Sequence, residues 1–367
     1  MKKQFKVFKT GTIRNQLNNY INSQKILTLK YKSVELQIPS RINAMAIDPS
    51  GITVDKNGIY TPGEIILKVG IYKYVCVSVD LDSDIVQVIT NNTRKSLLIH
   101  AALLMKKALG IKHGFKIEFQ DDLEYKHCGL GSSSQMIISV MAAINELYDN
   151  VIPIRDLLKY AAQNHGEETE DNEYLKPVQA IGGSAAACLY DGSVMIIAGE
   201  SELVLRQSIS TDYNLNIAIP INYKPLNGEA LMELEEQNLY RFLETGKKYG
   251  QVIAYQTLHK VIPDLVNNSL SELSKLIFDY RFNMGSIENC SFIYPKMAAD
   301  ANILREYYRQ GEVEMLGISS VGPAFFFISS SSTNSIETKF EELGYKIIHS
   351  KLVSESYRIV SKEAYYA

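Results

Sequence analysis

The chain has 367 residues, 46% of them hydrophobic, with 38 basic and 41 acidic side chains, a formal charge of −3 and a pI near 6.1. That length and apolar content can bury a substantial core divided between two lobes, while the mildly acidic balance lacks the basic stripe of a nucleic-acid binder. The basic start, residues 1–9, lacks the apolar run of a secretion signal, and the longest apolar segments, 97–109 and 136–147, are too short and interrupted to span a bilayer.

Along the chain, alternation predicts strands within 25–38, 65–79 and 85–89, helical periodicity covers 97–109, and 114–119 reads as a strand. A charged run then gives way to Lys126-His127-Cys128-Gly129-Leu130-Gly131-Ser132-Ser133-Ser134-Gln135, followed by an apolar helix over 136–147. Gly129 and Gly131 lack a Cβ, so the backbone can turn with positive φ and approach a ligand, and a helix starting near Ser132 leaves its first amides unpaired. Those amides, the positive end of the helix dipole and three successive hydroxyls suit a phosphate, and a loop serine such as Ser134 can hold Mg²⁺. An ordinary serine-capped helix after a glycine turn fits the same residues.

A helix over 154–163 leads into an acidic window, His165-Gly166-Glu167-Glu168-Thr169-Glu170-Asp171-Asn172-Glu173-Tyr174-Leu175-Lys176. Next comes Ile181-Gly182-Gly183-Ser184-Ala185-Ala186-Ala187, with a hairpin expected over 185–197 turning at Asp191-Gly192. A lobe boundary falls near 208–214. Beyond it, 215–222 reads as a strand and 229–243, 249–259, 269–282 and 294–310 as helices. Gly317-Ile318-Ser319-Ser320-Val321-Gly322-Pro323-Ala324 then runs into a strand over 324–329, and the last lobe closes with a helix over 335–343 and a strand over 357–360. Sheets with helices segregated to one side indicate an α+β protein whose lobes face a cleft that all three glycine loops can line.

Single residues add to this picture. Arg41 follows a strand-like run, and its planar fork suits phosphate or carboxylate as well as a surface ion pair. The carboxylates of the acidic window fit a solvated loop, or one of them, Glu167 or Glu168, a metal ligand facing the loop serines. The six histidines have no zinc-ligand spacing, although His127 abuts the phosphate loop. Cys76, Cys128, Cys188 and Cys290 are scattered singly and read as reduced, buried thiols.

The three glycine loops, in this order and spacing, resemble the signature loops of the GHMP kinase superfamily over most of the chain from about Pro39. Where the kinases usually read Gly-Leu-Gly-Ser-Ser-Ala-Ala, this chain has Gly129-Leu130-Gly131-Ser132-Ser133-Ser134-Gln135, which is most similar to the Gly-Leu-Gly-Ser-x-x-Gln loop of the β-ribofuranosylaminobenzene 5'-phosphate synthase family. Pro39-Ser40-Arg41-Ile42-Asn43 with Ile47-Asp48, Gly182-Gly183-Ser184-Ala185-Ala186, and Ser319-Ser320-Val321-Gly322-Pro323 match the same family. The resemblance implies a two-lobed GHMP kinase-like fold: an extension over 1–35, a ribosomal S5 domain 2-like lobe over 36–212 that binds phosphate, and a ferredoxin-like lobe over 213–367.

It also implies an enzyme that joins phosphoribosyl pyrophosphate to an aromatic or heteroaromatic acid, releasing pyrophosphate and carbon dioxide with Mg²⁺ as cofactor; the cytoplasm is the default compartment, and the oligomeric state is open, with a homodimer as the expectation. The expected substrate residues are Gly129 to Ser134, Arg41, Lys176, Gly182, Gly183, Ser184, Ser319, Ser320 and Gly322. Gln135, Glu167 and Glu168 are expected at the reacting centre, with Ser134 and Glu168 on the metal. The chain departs from the family in three places. Acid replaces an arginine-rich segment before the middle loop, Asn43 stands where the family has histidine, and the glycine-rich stretch expected near Tyr60-Thr61-Pro62-Gly63-Glu64 is poorly recognisable. Asp171-Asn172 instead echoes an Asp-Asn pair of the superfamily kinases. An ATP-dependent kinase for a small alcohol, with Asp191 or one of the acidic residues as base, and a non-catalytic member that binds a nucleotide-like ligand are the other readings.

Overall fold

Two long antiparallel strands form the spine of the molecule. The computed structural model describes residues 7–16, 27–52, 61–89, 94–121, 123, 126–169, 173–209, 213–226, 228–329 and 334–365. A short strand β1 (Phe8–Lys9) precedes β2 (Tyr31–Ala46), and a 3₁₀ turn at Pro49–Gly51 lies between β2 and β3 (Glu64–Asp80). β2 and β3 pair from Ser33 with Ser78 to Ala46 with Glu64, and the register shifts between Pro39 and Ser40, where proline has no amide to give the ladder. Beyond that shift β2 carries Arg41 and Asn43.

β4 (Val86–Val88), α1 (Lys95–Leu109) and β5 (Gly114–Gln120) form a parallel crossover, with β5 also paired to β3. α2 (Ser132–Leu147) is buried at every position except Ser134. α2 packs with α1 and α3 (Ile154–Gln163) on one face of the sheet, in a core that includes Val75, Leu98, Ile137, Met141 and Leu158. The acidic window folds as β6 (Gly166–Glu168) and β7 (Tyr174–Pro177), which make a small sheet in the order β1-β7-β6. Asp171 and Asn172 lie outside the described residues.

α4 (Gly183–Leu189) comes next, then β8 (Val194–Ala198), which pairs with β3, and β9 (Glu202–Gln207), which pairs with β8. The hairpin expected over 185–197 is therefore half helix. The run Ala185-Ala186-Ala187 has the highest helix propensity available and is buried on all sides, which removes the need for strand alternation.

The second lobe opens with β10 (Asn214–Pro220) and α5 (Gly228–Gln256), followed by a π-turn at Thr257–Val261, α6 (Ile262–Val266), α7 (Ser271–Phe278), a second π-turn at Asp279–Asn283, and α8 (Ser286–Cys290). α9 (Lys296–Arg309), β11 (Met315–Ile318), β12 (Phe325–Ser329), α10 (Asn334–Glu342) and β13 (Tyr345–Ile348) complete it around an antiparallel sheet in the order β11-β12-β10-β13. The two helices expected over 229–259 are one. Gly246 and Gly250, the apparent breakers, lie inside α5, and a Cβ on Gly246 would strike the Ser50 backbone of the 3₁₀ turn, so this glycine sets a close approach rather than an end.

The final strand β14 (Arg358–Ala364) leaves this lobe and pairs antiparallel with β2, giving the main sheet the order β14-β2-β3-β5-β4. Residues 358–364 thus complete the first sheet instead of closing the last lobe as sequence suggested. Lys68, fully buried on β3, secures the returning segment: its Nζ donates to the carbonyls of Tyr190 (2.6 Å), Glu355 (3.0 Å) and Ser354 (3.1 Å), and burial pushes its pKa down to about 8. No described helix is long and apolar enough to cross a membrane, and all four cysteines are free.

The segment at 7–16 docks through a buried imidazole. His100 Nδ1 accepts from the Gly11 amide at 2.8 Å, which fixes the ring as neutral with Nε2 donating to the Asn164 carbonyl, also at 2.8 Å, and burial pushes its pKa down to about 4. The unfolded ring protonates near 6.5, so between the two values the unfolded state binds more protons. Stability from this group is complete above pH 6.5 and falls as pH drops toward 4. Denaturant titrations at pH 7 and pH 5 should differ by about 2 kcal/mol more for the native chain than for His100→Gln, whose side chain does not titrate. Equal pH slopes in the two proteins would refute the neutral-ring assignment.

Candidate active site

Three glycine-bearing segments meet at one end of the main sheet. Gly129 (φ 94°) and Gly131 (φ 70°) lead into α2, whose first amides carry no side-chain cap among the described residues. The Gly129 carbonyl accepts from Arg41 Nη1 at 2.8 Å and from Ser319 Oγ at 2.7 Å, joining the first loop to β2 and to the third loop. Ser319 Oγ in turn accepts from the Asn43 amide at 3.1 Å, and the Ser320 amide donates to the Asn43 carbonyl at 2.8 Å. A Cβ on Gly129 would strike the Ser319 carbonyl; one on Gly131 would lie 2.5 Å from Ser184 Oγ and 2.7 Å from Arg41 Cζ. The glycines therefore serve packing between loops as much as access for a ligand.

The cleft these segments enclose has a volume of about 270 Å³. Arg41, Asn43, Glu64, Ser184 and Gly183 form one wall. Glu64, buried on β3, accepts from the Gly183 amide at 2.6 Å and from Asn43 Nδ2 at 2.5 Å. Burial raises its pKa against the lowering effect of the Arg41 charge and those two donors, and burial likewise lowers that of Arg41. Two polar atoms on this wall are buried without a hydrogen-bond partner, Arg41 Nε and Ser184 Oγ. Unsatisfied polar atoms in a cavity wall are costly unless a ligand engages them.

α5 supplies the opposite wall through Leu231, Glu235, Leu239 and Phe242. Burial, with the Glu167 charge, raises the Glu235 carboxyl to about 7. Arg281, from the π-turn, donates to the carbonyls of Ala44 (2.9 Å), Ser320 (2.9 Å) and Asn43 (3.2 Å), bracing β2 and the third loop from behind.

Behind the start of α2 lies an ionic cluster. Arg94, 3% exposed at the N-cap of α1, donates from Nη1 to Ser132 Oγ at 2.9 Å, from Nη2 to Ser133 Oγ, and to Glu167 and Glu168 at 3.1 and 2.8 Å. Its Nε is also 2.5 Å from Glu168 Oε1. His127 Nε2 lies 3.6 Å from Glu168 and His165 Nε2 3.4 Å from Glu167. Burial works to raise the Glu168 pKa, but the His127 contact and the Arg94 charge together hold it well below the usual carboxylate range.

The residues singled out in the sequence divide between cleft and support. Gly129, Gly131, Ser132, Ser133, Ser134, Arg41, Gly182, Gly183, Ser184, Ser320 and Glu167 line the cleft. Leu130 is a core side chain, and Gly322 sits against Met297. Gln135 donates from Nε2 to the Pro39 carbonyl at 2.7 Å and accepts from Ser40 at 3.4 Å, tying α2 to β2 instead of facing substrate. Ser319 spends its hydroxyl between the loops, and Lys176 is buried on β7 away from the cleft lining. Asp191, considered as a base, is exposed and accepts from the Ser356 amide at 2.8 Å, outside the cleft.

For the expected Mg²⁺, the ligand atoms of His127, Glu167 and Glu168 lie within 4.8 Å of one another. The same carboxylates are nevertheless held by Arg94, Ser133 Oγ donates to Glu167 at 2.7 Å, and Ser134 faces the cleft instead of this cluster. As arranged, these residues do not fit a divalent ion, because a guanidinium stands where its charge would go.

Gly131→Ala tests the convergence of the loops. The added methyl meets Ser184 and Arg41 and forces a left-handed φ on alanine, so a loss of about 1–3 kcal/mol in denaturant titrations and of anion binding by calorimetry is expected. Retention of native stability and binding would show that the loops tolerate being pushed apart.

Residues 96–173 match the family described as GHMP kinases N terminal domain. No curated protein matches the chain. Among solved structures, a homoserine kinase from Cytophaga hutchinsonii superposes with a TM-score of 0.59 at 16% identity, covering 94% of this chain and 100% of that one. L. major mevalonate kinase in complex with R-mevalonate gives 0.58 at 13% identity, covering 90% and 99%. Mevalonate diphosphate decarboxylase from Staphylococcus aureus gives 0.58 at 14% identity, covering 90% and 98%. At such identities the likeness is one of fold. The chain thus has the two-lobed GHMP kinase-like fold, within which residues 96–173 are similar to the GHMP kinase N-terminal domain.

Proposed function

We propose that this chain is a C-glycoside synthase that joins phosphoribosyl pyrophosphate to an aromatic or heteroaromatic carboxylic acid. The observation that supports it is the shared cleft: the amides and hydroxyls of Gly129 to Ser134 open onto the same space as Arg41 and Ser184, whose Nε and Oγ are buried without partners. The first set suits a diphosphate leaving group and the second an acceptor carboxylate. The bond from C1 of the sugar to the diphosphate oxygen breaks, the electron pair leaving with pyrophosphate. The ring carbon that bears the carboxylate attacks C1. Loss of carbon dioxide then returns the electron pair of its carbon-carbon bond to the ring, restoring aromaticity, so no base is required for addition. Orientation and fixed dipoles supply the catalysis.

One observation favours a second reading, an ATP-dependent kinase of a small alcohol. Glu235, raised to about 7 on the cleft wall, is poised to take a proton from a hydroxyl, a task the synthase route lacks. The two are separated by supplying the purified protein with phosphoribosyl pyrophosphate and a panel of aromatic acids, or with ATP and a panel of alcohols, in buffer with and without Mg²⁺. Pyrophosphate and carbon dioxide released together, only when an acid is present, are expected, and Arg41→Met should lower that rate by about 10²-fold or more. ADP formation that depends on an alcohol would replace the synthase with the kinase, and turnover of neither set would leave a ligand-binding member without catalysis.

A further inference from the structure

We propose that two copies of this chain associate through the outer face of α5 and its continuation, the two helices packed antiparallel about Val252. α5, the π-turn at Thr257–Val261 and α6 form one unbroken helix, because Gln256, Val261 and Ile262 at the joins all keep right-handed helical backbone. Its inner face carries Leu231, Glu235, Leu239 and Phe242 into the cleft, so the contact with a second copy lies on the other side of the same helix and is independent of the reaction performed.

Tyr240, Leu243, Val252, Tyr255, Leu258 and Val266 are 38–60% exposed, and they make up a third of the large apolar side chains left open among the described residues. Single exposed apolar residues are ordinary, whereas a series confined to one helix face marks an interface. At 3.6 residues per turn the positions within α5 fall on the side away from Gly246 and Ile253, which pack inward, and Leu258 and Val266 continue that side past the π-turn. The rings of Tyr255 and His259 already lie 4.5 Å apart, so this part of the face loses little side-chain freedom on association.

A second copy is the partner whose charges fit. Antiparallel packing about Val252 sets the exposed Glu244 of one copy opposite the exposed His259 and Lys260 of the other, and two-fold symmetry repeats the pair. Lys248 then lies against Tyr255, Tyr240 reaches Pro263, and Lys247 faces Thr257 instead of another cation. Parallel packing would set Glu244 against Glu244 and each lysine against its own counterpart, which repels. Residues 240–266 span about 40 Å and, at a helix width of about 10 Å, offer about 400 Å² per copy. That area lies below the size of permanent complexes, so the association is weak and depends on concentration.

The test is sedimentation velocity of the full chain for the native protein, Tyr255→Glu, Glu244→Lys, Lys260→Glu and the double exchange Glu244→Lys with Lys260→Glu. All three positions are exposed, so folding of the variants is expected and is checked by circular dichroism. The native chain should pass from monomer to dimer between about 1 and 200 µM. Tyr255→Glu should raise the midpoint concentration about tenfold or more, because it places a charge in the seam. Each single exchange should raise it about threefold, and the double exchange should bring it back to within about twofold of native, a recovery that requires the two positions to face each other. A native chain that stays monomeric at the highest concentration would overturn the proposal. So would a Tyr255→Glu protein that dimerises like the native one, since the contact would then lie on another surface. Failure of the double exchange to recover what the single exchanges lose would overturn the antiparallel packing about Val252.

Discussion

One backbone oxygen holds the site together. The Gly129 carbonyl receives Arg41 from β2 and Ser319 from the loop before β12, so segments nearly three hundred residues apart are registered against each other at a single acceptor. Everything on the cleft wall follows from that junction. It draws Arg41 across Gly131, it fixes the turn from which α2 emerges, and it aligns the third loop with the Asn43 backbone. The junction closes only because Gly129 and Gly131 have no side chains to hold the segments apart.

Around this junction the charges are arranged in two tiers. In the cleft, Arg41 faces the buried Glu64, and burial opposes the charge of each. Behind the cleft, Arg94 is clasped by Glu167 and Glu168, with His127 and His165 beyond. The positive end of α2 therefore looks out between a cation already neutralised by acids and a cation whose Nε has nothing to bond. Such an arrangement favours one anion at the loop over broad attraction of polyanions, in keeping with a net charge close to zero.

The loops were legible because their composition carries a backbone requirement. Gly129, Gly131 and Gly182 all have positive φ, and a helix of apolar residues after the first of them announces itself by its pattern. The supporting side chains were not legible. Arg94 is a single arginine in a polar stretch, and nothing local ties it to an acidic window more than seventy residues later, yet it supplies the cation that window lacks. Glu64 and Glu235 stand alone among alternating or amphipathic residues and gain meaning only from burial against groups remote in the chain. Gln135 and Ser319 err in the opposite direction: they belong to recognisable motifs, but their hydrogen bonds are spent between segments. The alanine run of α4 was misread because three small apolar residues satisfy strand and helix patterns equally until burial on every side selects the helix.

The return of β14 to the edge of β2 has a consequence for how the molecule comes into being. Synthesis on a ribosome proceeds from one end, so the strand bearing Arg41 waits with one row of amides and carbonyls unpaired until more than three hundred further residues have emerged. An open edge of that length is a template for another chain. A nascent or truncated polypeptide that stops short of Arg358 leaves this template uncovered, and its hazard is association before the cleft exists at all.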